Sequence, residues 1–138
     1  MSRTFKVEEL ESVVEEFLLS LENNRVLGFS GDLGAGKTTF TKALLNKMGH
    51  AGNAPSPTFV LRRDYQLPET KVIHKLIHID AYRLEKLDQI FQVISKEELA
   101  DKNNLIIIEW PEKAQLNIFD KIYKFSHISE VERKIEIV

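Results

Sequence analysis

The 138-residue chain has no cysteine. Disulfides, thiol nucleophiles and cysteine-ligated zinc are therefore excluded, and the count places nothing outside a reducing cytoplasm. Long apolar runs are lacking too. Leu105-Ile106-Ile107-Ile108 is among the longest, far short of the ~20 residues that a membrane span needs. The opening MSRTFKVEEL has no apolar stretch of the secretory kind. A cytoplasmic protein with no membrane partner is the expectation. There is no internal repeat and no Pro/Gly/Ser-rich linker, so residues 1–138 are read as one domain. An excess of positive charge is also missing. With 19 basic and 21 acidic side chains the net charge is −2, whereas a dedicated nucleic-acid binder is usually basic on at least one face.

What is present fits a folded domain. Apolar residues make up 43% and charged residues 29%, ordinary for a globular protein. A chain of this length buries roughly two-thirds of its unfolded surface. The charge is uneven. Residues 1–24 carry two basic and six acidic groups, whereas residues 25–75 carry eight and three. The middle of the chain is where an anion would most readily bind.

Val7, Leu10, Val13, Val14, Phe17, Leu18 and Leu21 recur at spacings of three and four, which predicts a helix ending at Asn23-Asn24. Arg25–Ser30 reads as a strand buried on both faces, as in a parallel sheet. A glycine-rich turn leads into a helix from Lys37 to about Met48, stopped by Gly49. Thr58–Leu67 and Lys71–Asp80 read as strands around a turn at Leu67-Pro68-Glu69-Thr70. Residues 87–101 read as helical, with Ser95 and Glu98 spaced as a capping box at the start of a short second helix. Asn104–Glu109 reads as another buried strand, Pro111 as the start of a helical turn, and Ile122–Ile128 and Lys134–Val138 as closing strands. Strands alternating with helices make this an α/β chain.

Gly31-Asp32-Leu33-Gly34-Ala35-Gly36-Lys37-Thr38 fits G-x-x-x-x-G-K-[ST] without a gap. From average residue frequencies the four fixed positions match by chance in roughly one such chain in 200. The flanking strand and helix are the context the motif requires. Glycines let backbone N–H groups turn inward and approach a phosphate closely. The helix that follows aims its unpaired N–H groups and positive dipole at the same anion. Lys37 can reach the β- and γ-phosphates, and the Thr38 hydroxyl can ligate Mg²⁺. The metal also needs a carboxylate. Asp80 and Glu109, each closing an apolar run, are both candidates, and their spacing does not divide the roles between them. Thr58, in Ser56-Pro57-Thr58-Phe59, can serve as a γ-phosphate sensor; a turn that starts a strand is the plainer reading. The Asn-Lys-x-Asp run that reads guanine is missing, and Asp80 is followed by Ala81-Tyr82-Arg83 rather than by a GTPase-type glycine. Adenine is the better base. His74 and His78 share a strand face but have no third ligand in view, so both read as ordinary strand residues.

Four blocks in order carry a resemblance: Gly31–Phe40, Ser56-Pro57-Thr58-Phe59, Asp80-Ala81-Tyr82-Arg83-Leu84 and Ile108-Glu109-Trp110-Pro111-Glu112. The chain resembles the bacterial TsaE (YjeE) family of small P-loop ATPases over nearly its whole length. Ala81 departs from the leucine or valine frequent in that family, and Gln89–Asn103 lacks its usual glycine. The resemblance implies a three-layer P-loop NTPase fold with a mixed, mainly parallel central sheet and antiparallel strands at its edge. It implies ATP and Mg²⁺ as cofactors and slow ATP hydrolysis by the chain alone. It implies a role in forming threonylcarbamoyladenosine at position 37 of tRNAs that read codons beginning with adenine. The implied partner is the TsaB–TsaD transferase pair, through which the chain would reach tRNA. It matches Lys37 to the phosphate lysine, Thr38 to the Mg²⁺ threonine and Thr58 to the switch threonine. Asp80 becomes a water- or metal-organising residue, Glu109 a Mg²⁺ ligand, and Trp110 a residue important for activity. The loop Leu33, Gly34, Ala35, Gly36, Thr38 and Thr39 would hold the phosphates, and Arg133 and Val7 would flank the base. From the residues alone, a small-molecule kinase using the same loop is the other reading, with Arg62, Arg63 and Arg83 as possible parts of an acceptor pocket.

Overall fold

The computed structural model describes residues 2–50, 61–68 and 72–138. Its strands are β1 (Ser2–Lys6), β2 (Val26–Ser30), β3 (Arg62–Gln66), β4 (Lys75–Asp80), β5 (Asn104–Glu109), β6 (Lys121–His127) and β7 (Glu132–Ile137). Its α-helices are α1 (Leu10–Ser20), α2 (Lys37–Lys47) and α3 (Lys96–Ala100), with short 3₁₀ turns at Val7–Glu9, Leu87–Gln92, Pro111–Lys113 and Leu116–Ile118.

The strands form one seven-stranded sheet in the order β1-β7-β6-β2-β5-β4-β3. The central run β6-β2-β5-β4 is parallel, and β3, β7 and β1 add antiparallel edges. This is the mixed, mainly parallel sheet expected. β5 is buried at every position, as a central strand covered on both faces must be. Alternation along the strands divides the core in two. Leu27, Phe29, Leu76, Leu105, Ile107 and Tyr123 pack with α1 and α2. Val26, Ile77, Ile79, Ile106 and Ile108 pack on the other face with Ile90, Ile94 and Ala114. A cluster of edge-on and tilted ring pairs among Phe17, Phe29, Phe40, Tyr123 and Phe125 joins α1 and α2 to the sheet, a geometry that favours aromatic contact.

Several elements differ from the sequence reading. β1 was not expected. Only Phe5 in it is buried, and the strand exists because it pairs with β7 from Ser2↔Glu136 to Lys6↔Glu132. Val7 lies in a 3₁₀ turn ahead of α1 and is 45% exposed, so it is not part of that helix's buried stripe. Residues 87–101 divide at Ser95 as expected, with α3 opened there, but the first piece is a 3₁₀ segment rather than an α-helix. The capping box itself forms as expected. Ser95 Oγ accepts from the Glu98 N–H at 3.1 Å, and the Glu98 carboxylate accepts from the Ser95 N–H at 3.0 Å. Among the strands, β3 and β4 are shorter than expected, and Thr58 and its neighbours lie outside the described residues.

Candidate functional site: a phosphate loop beside two strand-end carboxylates

The site sits where the parallel strands end. β2 runs into the loop at Ser30, and the backbone turns there through Gly31, Gly34 and Gly36, each with positive φ. Gly31 (φ +140°) admits no side chain, because a Cβ would lie 2.5 Å from the Phe125 carbonyl oxygen. Gly36 (φ +102°) is the residue before α2 and brings no side chain to bond to the first N–H groups of the helix. Those donors, with the positive end of the helix dipole, are left for an anion.

One cleft of about 260 Å³ collects the residues singled out from sequence. It is lined by Leu33, Gly34, Ala35, Gly36, Lys37, Thr38 and Thr39 of the loop and helix, by Asp80, Glu109 and Trp110 at the strand ends, and by Val7 and Arg133. Thr58 lies outside the described residues. Phe5, Leu10 and Phe125 complete the wall. They escaped the sequence reading because nothing local marks a core residue as one that also faces a cleft.

Asp80 and Glu109 end adjacent strands and are partners in register. The Asp80 Oδ1 accepts from the Tyr82 N–H at 3.0 Å, a turn that holds the carboxylate at the strand end. Glu109 is only 7% exposed, and its two oxygens have different partners. His78 Nε2 lies 2.6 Å from Oε2, and Lys37 Nζ lies 3.7 Å from Oε1. Burial pushes the Glu109 carboxyl up, but His78 and Lys37 outweigh it and hold the group below the usual carboxylate range. Lys37, itself 6% exposed, also donates to the Gly31 carbonyl at 2.5 Å. Its ammonium stands 4.8 Å from the centre of the Trp110 ring, within cation–π range. Trp110 has φ 59° and ψ 56°, a left-handed conformation costly for a bulky residue. Pro111 follows as the first residue of a 3₁₀ turn. Its Cβ would be 2.7 Å from a Cβ on Gly28, so the Glu109-Trp110-Pro111 corner fits against β2 only because residue 28 is glycine. Tyr82 packs on the other side of Trp110 at 5.2 Å between ring centres.

Elsewhere in the cleft lining, Arg133 Nη1 donates to the Ser129 and Glu132 carbonyls at 2.6 and 3.0 Å. Its methylenes pass 3.7 Å from where a Gly36 Cβ would stand. Val7, tied to β7 through its N–H to the Val131 carbonyl at 2.9 Å, brings an apolar edge to the same wall.

A sequence model of the family described as "Threonylcarbamoyl adenosine biosynthesis protein TsaE" matches residues 4–135. The chain belongs to the TsaE family. Its TsaE relatives include the "tRNA threonylcarbamoyladenosine biosynthesis protein TsaE" of Haemophilus influenzae, 36% identical over 102 residues, covering 72% of this chain and 61% of the relative. The match thus spans less than two thirds of that relative's length. The protein of the same name from Aquifex aeolicus is 33% identical over 132 residues, covering 94% of this chain and 89% of the relative. The crystal structure of Bacillus subtilis YdiB superposes with a TM-score of 0.61 at 23% identity, over 99% of this chain and 84% of that one, and shares the P-loop fold. The P-loop fold is one that binds nucleotide phosphates.

The TsaE cleft suits Mg²⁺ by its donor set. Thr38, Asp80 and Glu109 line it together, all hard oxygen donors, which Mg²⁺ prefers. Among the described residues no three His, Cys, Asp or Glu side chains form a ready-made cage. Mg²⁺ at phosphate sites needs none, because one or two protein groups are completed by phosphates and water. Among the described residues no helix is long and apolar enough to cross a membrane.

Proposed function

We propose that this TsaE chain is a Mg²⁺-dependent, ATP-binding and ATP-hydrolysing subunit, slow alone, which acts as a single domain in the cytoplasm. It serves formation of threonylcarbamoyladenosine at position 37 of tRNAs that read codons beginning with adenine. It works with the TsaB–TsaD pair and reaches tRNA mainly through it, in keeping with a net charge of −2. The observation that carries the reading is the convergence of the phosphate loop, two strand-end carboxylates and an apolar wall on one cleft.

In this reading the N–H groups at the start of α2 take the β-phosphate. Lys37 leaves the Gly31 carbonyl and Glu109 and moves its charge to the β- and γ-phosphates. Thr38 and Glu109 hold Mg²⁺, which when bound offsets the charge on the phosphate oxygens during transfer. Asp80, beside Glu109, orients the attacking water, and Trp110 covers Lys37 and limits bulk water there. Thr58 senses the γ-phosphate. Val7 and Arg133 flank the adenine.

The test is steady-state ATP hydrolysis with Mg²⁺, with and without the purified TsaB–TsaD pair. Slow turnover that changes on adding the pair is the expected result. Lys37→Ala should weaken nucleotide binding and abolish turnover, and Glu109→Ala should mainly impair Mg²⁺-dependent turnover. Wild-type rates in either variant would remove the role given to that residue. No binding to the pair and no change in rate would sink the tRNA-modification reading and leave a small-molecule kinase as the one to pursue.

A further inference from the structure

We propose that His78 is a positioning residue: it holds the Glu109 carboxylate in place when Lys37 leaves it for a nucleotide phosphate. This rests on Glu109 being a Mg²⁺ ligand, as proposed above, and adds to the site a residue that does not itself line the cleft.

His78 and Glu109 are 31 residues apart in sequence and meet only through the sheet. In the parallel pairing of β4 with β5, His78 lies opposite Ile107 and Asp80 opposite Glu109. Side chains two residues apart share a face, so the imidazole reaches one step along β5 to the carboxylate. A glutamate carboxylate only accepts. His78 Nε2–H is therefore the donor to Oε2, at 2.6 Å. That bond leaves Oε1 as the oxygen turned toward Lys37.

Lys37 cannot stay where it is and also serve a phosphate. Its ammonium is engaged by the Gly31 carbonyl and by Glu109. When it moves, and until Mg²⁺ takes its place, Glu109 is a carboxylate with 10% side-chain exposure that has lost its lysine partner. Removing one partner of a buried charge pair is costly unless another group remains. The terminal torsion of a glutamate is broad, so without a second anchor the carboxylate can swing. Mg²⁺ accepts little variation, since it requires near-ideal octahedral geometry at ~2.0–2.1 Å. The His78 bond survives the departure of Lys37 and keeps Oε1 aimed at the cleft.

The test uses Mn²⁺ as the probe, titrated by electron paramagnetic resonance into wild type, His78→Gln, His78→Leu and Glu109→Ala, each saturated with a non-hydrolysable ATP analogue. Metal-free nucleotide affinity is read in parallel from Trp110, the chain's one tryptophan, and folding from circular dichroism. Glutamine places an amide N–H near the position of Nε2 and leucine removes the donor. His78→Leu should lose about 10–100-fold in Mn²⁺ affinity, as loss of a group that orients a metal ligand does, with metal-free nucleotide affinity close to wild type. His78→Gln should restore most of that loss. If the leucine variant does not fold, His78→Asn, whose amide stops short of Glu109, carries the same expectation. Wild-type Mn²⁺ affinity in His78→Leu or His78→Asn alongside weakened binding in Glu109→Ala would overturn the positioning role alone. Equal losses in the glutamine and leucine variants would also overturn it, as the mark of packing. Wild-type Mn²⁺ affinity in Glu109→Ala would instead overturn the metal role of Glu109, and this proposal with it.

Discussion

Gly28 shows how one residue that does not line the cleft fixes the geometry of its corner. It stands in the middle of β2, buried, with Pro111 Cβ at 2.7 Å, Pro111 Cγ at 3.0 Å and Ile122 Cγ1 at 3.1 Å from where its Cβ would be. Little can give way, since a buried proline ring and a partly buried β-branched side chain do the crowding. Gly28→Ala should therefore cost about 1–3 kcal/mol, the usual penalty for overpacking, read as a lower urea midpoint. The displaced group would be Pro111, next to Trp110, so the tryptophan emission of the folded variant should shift as well. An alanine variant with wild-type midpoint and emission would show that the corner does not depend on this contact. At the same scale, the phosphate loop was legible from its residues alone, because its chemistry is local: glycines, a lysine and a hydroxyl in consecutive positions. His78 was not. Its significance is a contact across two strands, and a histidine in an apolar run looks the same whether it faces solvent or a buried glutamate.

Among the elements, α3 has five residues, too few to stand by propensity. It is held by its first turn. Besides closing the capping box, the Glu98 carboxylate accepts two hydrogen bonds from Arg62 of β3, at 2.9 and 2.5 Å. Ser95→Ala should cost about 1 kcal/mol, as loss of a capping hydroxyl generally does, measured by urea denaturation. The same carboxylate sets a pH dependence. The Arg62 guanidinium, helped by the Ser95 N–H, overcomes burial and holds the Glu98 carboxyl down to about 2. A carboxyl with a lowered folded-state value favours the fold fully above its ordinary value, near 4.5, and that contribution fades as pH falls toward about 2. The stability gap between wild type and Glu98→Gln should therefore be constant above about pH 5 and narrow below it. A gap that widened on acidification would show that the Arg62 pair does not stabilise the native state. The capping box was readable because it is a pattern of four residues. The second helix it opens was readable with it; the 3₁₀ form of the segment before it was not, since apolar Ile90, Phe91, Val93 and Ile94 suit either an α-helix or a 3₁₀ segment. What decides is how they fit against Ile77, Ile79, Ile106 and Ile108.

For the whole molecule, β1 and β7 meet at the sheet edge and close one side of the cleft. β1 lies against β7, and through Phe5, Val7 and Arg133 these segments form a wall of the cleft that meets the phosphate loop at Gly36. The central strands could be read from their apolar runs, but β1 could not, because a strand with one buried residue owes its existence to a partner more than 100 residues away. This arrangement couples binding to stability at the edge. A ligand that binds only the folded state adds about 2.7 kcal/mol at a hundred times its dissociation constant, so Mg²⁺ and an ATP analogue should raise the thermal midpoint by roughly 10 °C. Phe5 and Val7 separate the two contributions. Phe5 is 4% exposed and part of the core, so Phe5→Ala should lower the midpoint of the free protein by about 3–5 kcal/mol in stability and also reduce the nucleotide-induced rise. Val7, half-exposed at the cleft, should leave the free midpoint nearly unchanged on replacement by alanine and reduce only the rise. A thermal-shift series on the two variants, with and without nucleotide, reads both effects. If Val7→Ala keeps the full rise while Phe5→Ala loses it, the base contacts the strand rather than the turn. If both keep it, that wall does not touch the nucleotide, and the base lies elsewhere along the loop.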